Sequence, residues 1–293
     1  MTNHTANNQS ELTSRVFLRE AADSVALPLL GVAARYRAQF QSLDITERIS
    51  KVLTDFPTAT VATTSGGIQS GFLLAHLAKL QRSSYEDIRL AVEKLPIIFI
   101  DTGDLFQETV DYITDLRRYL GLNIIRYRHN LSDEELQVNL TALTAGGLTP
   151  QSAFDELTKV RPMKAILAQY GAKAWIAGNR RDQSGSRSTL PYATVQNDIL
   201  KIYPIADVQS ESVRTSLTDL GIPPHPLVGR YRSVGNRSDT KNVEGPFEKS
   251  GRHAGLKEEC GLHEAWANRG KTLLKSGRGF IPCTQMPVRE VEI

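Results

Sequence analysis

The chain has 293 residues, 40% of them hydrophobic and 23% charged, which suits a soluble globular protein able to bury a large core in one α/β domain or two smaller ones. A formal net charge of +3 without a concentrated basic stretch argues against nucleic acid as a partner, and no run of 18 or more apolar residues calls for a membrane helix. Two cysteines are too few for a disulfide framework, and six histidines with no repeated C-x-x-C spacing argue against a protein-bound zinc or iron–sulfur centre, so free thiols in the cytoplasm are the expectation and no metal is assigned.

In chain order, MTNHTANNQSELTSR at the start has no apolar stretch of signal-peptide type and reads as a loose polar tail over 1–20. Residues 20–56 carry helical spacing. ATVATTS (59–65) is β-branched and apolar, a buried strand, and GFLLAHLAKL (71–80) is the helix after it. LPIIFIDTG (95–103) is the next strand, followed by an amphipathic helix, FQETVDYITDLRRYLG (106–121), that ends at a glycine. NIIRYRH (123–129) is a third strand. The pattern weakens between 130 and 158, with a clear break at GGLTPQ (146–151). The helical MKAILAQYG (163–171) then leads to a fourth strand in KAWIAGNR (173–180). VQNDILKIYPI (195–205) predicts a hairpin turning at Asn197-Asp198, an antiparallel addition to the sheet. From 229 to 256 the chain is rich in Gly, Arg, Ser and Lys without periodicity. It reads as a long loop that orders on a ligand, with an ordinary surface loop as the competing view. Strand–helix alternation of this kind specifies an α/β fold: a mainly parallel sheet with helices on both faces and ligands at the carboxyl ends of its strands.

Three loops at those ends carry candidate chemistry. In TTSGGIQSG (63–71), Gly66 and Gly67 allow a tight turn and close backbone approach. Its N–H groups, the helix N-terminus behind them and the hydroxyls of Ser65 and Ser70 suit a phosphate or sulfate. The string matches neither G-x-x-x-x-G-K-[ST] nor G-x-G-x-x-G, and an unliganded turn is its plain alternative. Asp101 and Thr102, closing the second strand, are placed for a nucleotide base or sugar. After the fourth strand, GNRRDQSGSR (178–187) offers Gly178, Arg180, Arg181, Gln183, Ser186 and Arg187 to a polyanion, while KVRPMK (159–164) adds Lys159, Arg161 and Lys164; an exposed basic loop is the alternative.

Near the end stands GRHAGLKEECGLHE (251–264). Cys260 there is a nucleophile, a metal ligand or a small core residue, and the heptapeptide around it does not choose. Arg252, His253, Lys257 and His263 would stabilise a thiolate, whereas Glu258 and Glu259 oppose one. Docked against an anion-binding cleft, the cysteine becomes a mobile nucleophile. A protease-like Cys–His pair fits less well, for want of an orienting third group.

TSGGIQSG, IFIDTGDLFQET, KVRPM, AGNRRDQSGSRSTLP, KIYPIAD, GIPPHPL, YRSVG and GLKEECGLHE stand in the order found in phosphoadenylyl-sulfate (PAPS) reductases, and the chain resembles that family over roughly residues 30–264. The resemblance implies the adenine-nucleotide alpha hydrolase-like (PP-loop) fold, a homodimer, and no bound cofactor, with reduced thioredoxin (or glutaredoxin) as electron donor. It also implies that Cys260, assisted by His263, attacks the sulfate sulfur of PAPS, and that thioredoxin releases sulfite from the resulting S-sulfocysteine. Related adenylyl-sulfate (APS) reductases hold a [4Fe–4S] cluster on a CC…C-x-x-C set. Here the only other cysteine is Cys283, so the PAPS branch is favoured. A cluster-free APS reductase and an ATP-dependent PP-loop adenylating or sulfur-transfer enzyme are the alternatives. Three departures stand out: the SGGIQS string is close to SGG-x-x-S pyrophosphatase-type loops, Val208 replaces a common tryptophan, and the chain runs on to Ile293. The implied organisation is a flexible segment (1–20), a sulfonucleotide-binding α/β domain (21–228), a mobile Arg/Gly-rich segment with the catalytic cysteine (229–264) and an extension (265–293).

Overall fold

The computed structural model describes residues 28–68, 70–242 and 286–292. The helical spacing over 20–56 corresponds, among the described residues, to two helices, α1 (28–39) and α2 (Ile45–Asp55). The break has a local cause. Asp44 accepts the Glu47 N–H at 2.8 Å and Glu47 accepts the Asp44 N–H at 2.8 Å, a capping box that starts a new helix.

Strands β1 (Thr60–Thr64), β2 (Ile97–Ile100), β3 (Ile124–His129) and β4 (Ala174–Ala177) form as the sequence predicts, and all lie parallel in the order β4-β1-β2-β3. Between them run α3 (Gly71–Gln81), α4 (Glu86–Lys94) and α5 (Gln107–Leu120). The α5 helix ends where Gly121 takes φ +67, a left-handed turn that glycine adopts without a Cβ clash.

The weakly patterned region is helical. Ser132 and Glu135 cap α6 (Asp133–Ala145) reciprocally, Thr149 caps α7 (Pro150–Asp155), and a π-helical turn, Glu156–Val160, leads into α8 (Arg161–Gln169). Of α6 only Asn139 and Leu143 are buried, and Leu143 packs with Ala153 and Leu157 in a small satellite core. One buried apolar residue in thirteen leaves almost no 3.6-residue signal to read.

The predicted hairpin is present. Asn197 and Asp198 adopt φ +52 and +57 between β5 (Ala193–Gln196) and β6 (Ile199–Ile202), the backbone a two-residue hairpin turn requires. Of the two hairpin strands, β5 is the antiparallel addition to the sheet, for β6 joins β4 in parallel. After α9 (Ser210–Asp219) the last described residues form β7 (Val288–Val291), antiparallel to β3 with His129 opposite Val288. Among the described residues the sheet therefore has seven strands, β5-β6-β4-β1-β2-β3-β7, mixed because both edge strands run antiparallel.

Alternate strand residues feed two cores. Ala62, Ile97, Phe99, Ile124 and Ile176 join the larger one under α1–α5 and α9, while Val61, Ile98, Tyr127 and Trp175 meet Met163, Ile166 and Leu167 of α8 on the other face. Burial on both faces explains why the strands read as continuous apolar runs. It also leaves the carboxyl edge of the sheet to the loops after β1, β2 and β4.

Candidate active site

The turn after β1 is shaped by Gly66. Its φ is +62, and a Cβ there would lie 2.9 Å from side-chain carbons of Phe99, Thr109 and Ile113, so both conformation and space demand glycine. The turn is held by its own hydroxyls: Ser65 Oγ accepts the Gly67 N–H at 3.3 Å, and Ser70 Oγ donates to the Gly67 carbonyl at 2.9 Å. Ser70 is the N-cap residue of α3, yet its side chain caps no helical N–H and the first turn carries no acid. The positive end of an 11-residue helix thus faces the turn without an intrinsic counter-charge.

Asp101 lies deeper than expected of a residue that meets a base or sugar. It is 1% exposed, and one carboxylate oxygen accepts from Arg126 Nε at 3.0 Å and Arg128 Nε at 2.9 Å. Its other oxygen accepts the Gly103 N–H at 2.9 Å. Burial pushes the carboxyl up, but the Gly103 N–H and the two guanidiniums outweigh it and hold the group below the usual carboxylate range. Two cations on one anion leave a positive excess at the end of β3. Arg126 and Arg128 were legible in NIIRYRH, since positions i and i+2 of a strand share a face, but nothing in the sequence pairs them with Asp101.

Thr102 gives its hydroxyl proton to Asn236 Oδ1 at 2.9 Å. Residues 229–242, read as a loop that orders on a ligand, lie here on the β2–α5 loop through contacts within the chain itself. Leu105 bridges Asn236, Asp104 accepts from the Ser238 backbone N–H at 3.1 Å and from its hydroxyl, and the Phe106 and Tyr231 rings sit 5.5 Å apart.

The arginine loop after β4 is knitted together as well. Arg180 is 1% exposed, 3.3 Å from Asp182 and 2.9 Å from Ser210 Oγ. Gln183 Oε1 accepts from the Arg180 N–H at 3.0 Å and from the Arg187 guanidinium, which also reaches the Asn179 carboxamide oxygen at 3.2 Å. Arg181 Nε donates to the Leu190 carbonyl at 2.9 Å, and its guanidinium lies 4.9 Å from the Tyr192 ring centre. Ser186 Oγ is 3.0 Å from Ser184 Oγ. Gly178 needs no special space, as a Cβ there would meet nothing nearer than Leu73 at 3.6 Å. On the π-helical turn Lys159 pairs with Asp155 at 2.8 Å, and Arg161 with Glu156 at 3.3 Å. The alternative of an exposed basic loop therefore does not hold: Arg161, Arg180 and Arg187 are buried, and these basic residues are internally paired, a preorganised arrangement rather than a solvated surface. Cys260, His263 and Arg252 lie outside the described residues, as do Gln69 and Cys283.

Behind these loops His225 is 1% exposed. Its Nδ1 accepts the Leu227 N–H at 3.1 Å, so its Nε2 carries the proton and donates to Thr109 Oγ1 at 3.2 Å. Burial pushes this imidazole down to about 4. Thr109 also lines the floor beneath Gly66, so GIPPHPL braces the turn from below.

The phosphoadenosine phosphosulfate reductase domain model matches residues 59–242, more than half of the chain and the span that holds every loop just described. The chain belongs to the phosphoadenosine phosphosulfate reductase family. A phosphoadenosine 5′-phosphosulfate reductase of Cronobacter sakazakii is 37% identical over 236 residues, 80% of this chain and 92% of that protein. One from Yersinia pseudotuberculosis is 37% identical over 259 residues, 88% and 98% of the two chains. The crystal structure of a PAPS reductase from Candida auris shares the fold, with TM-score 0.55 and 22% identity over 72% of this chain and 96% of that one. Among the described residues no group of His, Cys, Asp and Glu is arranged to hold a metal, and no helix is long and apolar enough to cross a membrane.

Proposed function

We propose that this PAPS reductase family member reduces 3′-phosphoadenylyl sulfate to sulfite and adenosine 3′,5′-bisphosphate on a PP-loop scaffold. The observation that carries the placement of substrate is the Gly66–Gly67 turn, whose backbone can approach an anion at the bare N-terminus of α3, opposite the arginine loop on the same sheet edge. In this reading Ser65, Gly66, Gly67 and Ser70 cradle the sulfate–phosphate end. Lys159, Arg180, Arg181 and Arg187, with Gln183, Ser186 and Arg252, meet the negative groups, while Thr102 and the loop led by Gly178 border the nucleoside. Asp101 acts through Arg126 and Arg128 rather than by contact.

Cys260 attacks the sulfate sulfur as a thiolate; the sulfur–oxygen bond to the phosphate breaks, the electron pair leaves with adenosine 3′,5′-bisphosphate, and an S-sulfocysteine remains. His263 favours the thiolate. A thiolate of reduced thioredoxin (or glutaredoxin) then attacks Cys260 Sγ and expels sulfite, so sulfur gains two electrons. The second donor thiol resolves the mixed disulfide and restores Cys260. A cytoplasmic homodimer without nucleic-acid or membrane partners completes the reading.

Anaerobic incubation with PAPS and reduced thioredoxin tests it through sulfite and the nucleotide product. Without thioredoxin the peptide containing Cys260 should gain about 80 Da, one SO3 unit. Cys260→Ser should bind nucleotide and form no sulfite; turnover equal to the parent enzyme's would reject the mechanism.

A further inference from the structure

Asn236 is assigned no role by any motif, yet it occupies the seam between two of the loops at the sheet edge. It is 0% exposed. Its Oδ1 accepts from the Thr102 hydroxyl at 2.9 Å, and that hydroxyl in turn accepts the Asp104 N–H at 3.2 Å. The orientation of the amide follows, because with the carboxamide turned round the Thr102 hydroxyl proton would lose the acceptor it has in Oδ1. The backbone is fixed too: the Asn236 carbonyl accepts from Thr240 Oγ1 at 2.7 Å, and Leu105 bridges residue 236. Two residues earlier, the Val234 carbonyl lies 3.7 Å from where a Cβ on Gly67 would sit. Asn236 therefore stands on a rigid strap between the Gly66–Gly67 turn and the end of β2.

Its Nδ2 has no hydrogen-bond partner among the described residues. A buried N–H without an acceptor is costly, and proteins rarely keep one without a use. We infer that Asn236 Nδ2 is a substrate donor that engages an oxygen of the sulfate group when PAPS is bound. The chemistry favours that end of the substrate. The strap touches the turn where the sulfate–phosphate group is placed, and an amide N–H is a directional, uncharged donor that an anionic oxygen strengthens. The inference rests on that placement of the sulfate–phosphate end, and it makes Asn236 a determinant of how the transferred group is held.

The test compares a substrate that carries the sulfate with a product that lacks it. For Asn236→Ala, kcat/KM for PAPS should fall about tenfold or more, whereas the inhibition constant of adenosine 3′,5′-bisphosphate should stay within about twofold. Asn236→Asp keeps the bond from Thr102 and the side-chain size while replacing the donor by an acceptor. Its loss in kcat/KM should exceed its loss in bisphosphate affinity by at least the same factor. An unchanged kcat/KM, or equal losses for substrate and bisphosphate in both variants, overturns the assignment; a water serving as the amide's partner would give the first of these. Ser65→Ala, measured in parallel, separates the two ideas. If it is silent while the Asn236 variants respond, the placement at the turn fails and the donor stands. The reverse pattern removes Asn236 alone.

Discussion

Asp101 and His225 illustrate how single residues hold this sheet edge, one as a charge and one as a neutral ring. Among the described residues Asp101 is the carboxylate partner of both Arg126 and Arg128, so Asp101→Asn leaves two half-buried guanidiniums without that counter-charge. Stability to urea should drop by about 3 kcal/mol, and an unchanged midpoint would contradict the pairing. Because its carboxyl is held below 3.8, this contribution is present above that pH and fades only as acid drives the carboxyl through its lowered range. His225 acts in a different window. Its folded-state value of about 4 lies below the ordinary 6.5, so between these limits the unfolded chain binds more protons than the folded one. The stability this ring contributes should be complete above pH 6.5 and decline toward pH 4 by roughly 3 kcal/mol. Denaturation measured at half-unit pH intervals should give that slope for the parent protein and a flatter one for His225→Asn.

At the level of elements, Gly66 and Gly178, one from each of two candidate loops, are not equivalent. Gly66→Ala meets three core side chains at 2.9 Å and a left-handed backbone, and should cost about 2 kcal/mol or more while lowering affinity for adenosine 3′,5′-bisphosphate. Gly178→Ala has only ordinary contacts and should shift the unfolding midpoint far less; equal costs would mean that the turn is not sterically defined. The edge strands differ in a similar way. The β5–β6 hairpin is local in sequence, whereas β7 comes from the far end of the chain to cover β3. Removing residues 286–293 uncovers the N–H and C=O groups of β3 and takes away the backbone oxygen of Glu292 that Arg126 reaches. Thermal unfolding should move down by several degrees, with self-association detectable by light scattering, because an open edge strand pairs with other chains. A truncated protein that melts like the full chain and stays dispersed would reduce β7 to an ornament of the fold.

For the whole molecule, the question is which sulfonucleotide the converged loops prefer. The guanidiniums of the arginine loop are oriented by Gln183, Asn179, Asp182 and Ser210 before any anion arrives, so little ordering remains to be done on binding. Losing the 3′-phosphate should leave such donors without their anion and penalise APS by about 2–3 kcal/mol, or 30–150-fold in kcat/KM relative to PAPS. Parallel anaerobic assays at equal thioredoxin decide this, and equal efficiencies would point to the cluster-free APS alternative. Within the loop, Arg187→Ala should weaken adenosine 3′,5′-bisphosphate by about 1.5–3 kcal/mol in calorimetry, more than loss of the exposed Arg118 on α5.

Strands β1 to β4, helices α3, α5 and α8, the hairpin at Asn197-Asp198 and the Gly66–Gly67 turn were legible in the sequence. Each is written in contiguous residues: β-branched apolar runs, a 3.6-residue stripe, an Asn-Asp pair, two adjacent glycines. The same holds for the family, since its motifs are short strings in fixed order. Helices α6 and α7 were not legible, for a helix that buries a single apolar side chain leaves no stripe. The partners of the charged residues were equally hidden. Asp101 meets Arg126 and Arg128 only because β2 and β3 lie side by side, Thr102 meets Asn236 across 134 residues, and β7 reaches β3 from the other end of the chain. Such contacts carry no local pattern; they exist once the two cores have packed and brought the strand ends together. The chain alone thus named the candidate loops, and its tertiary structure decided which of their charges are already paired and that the buried Asn236 Nδ2 has no partner among the described residues.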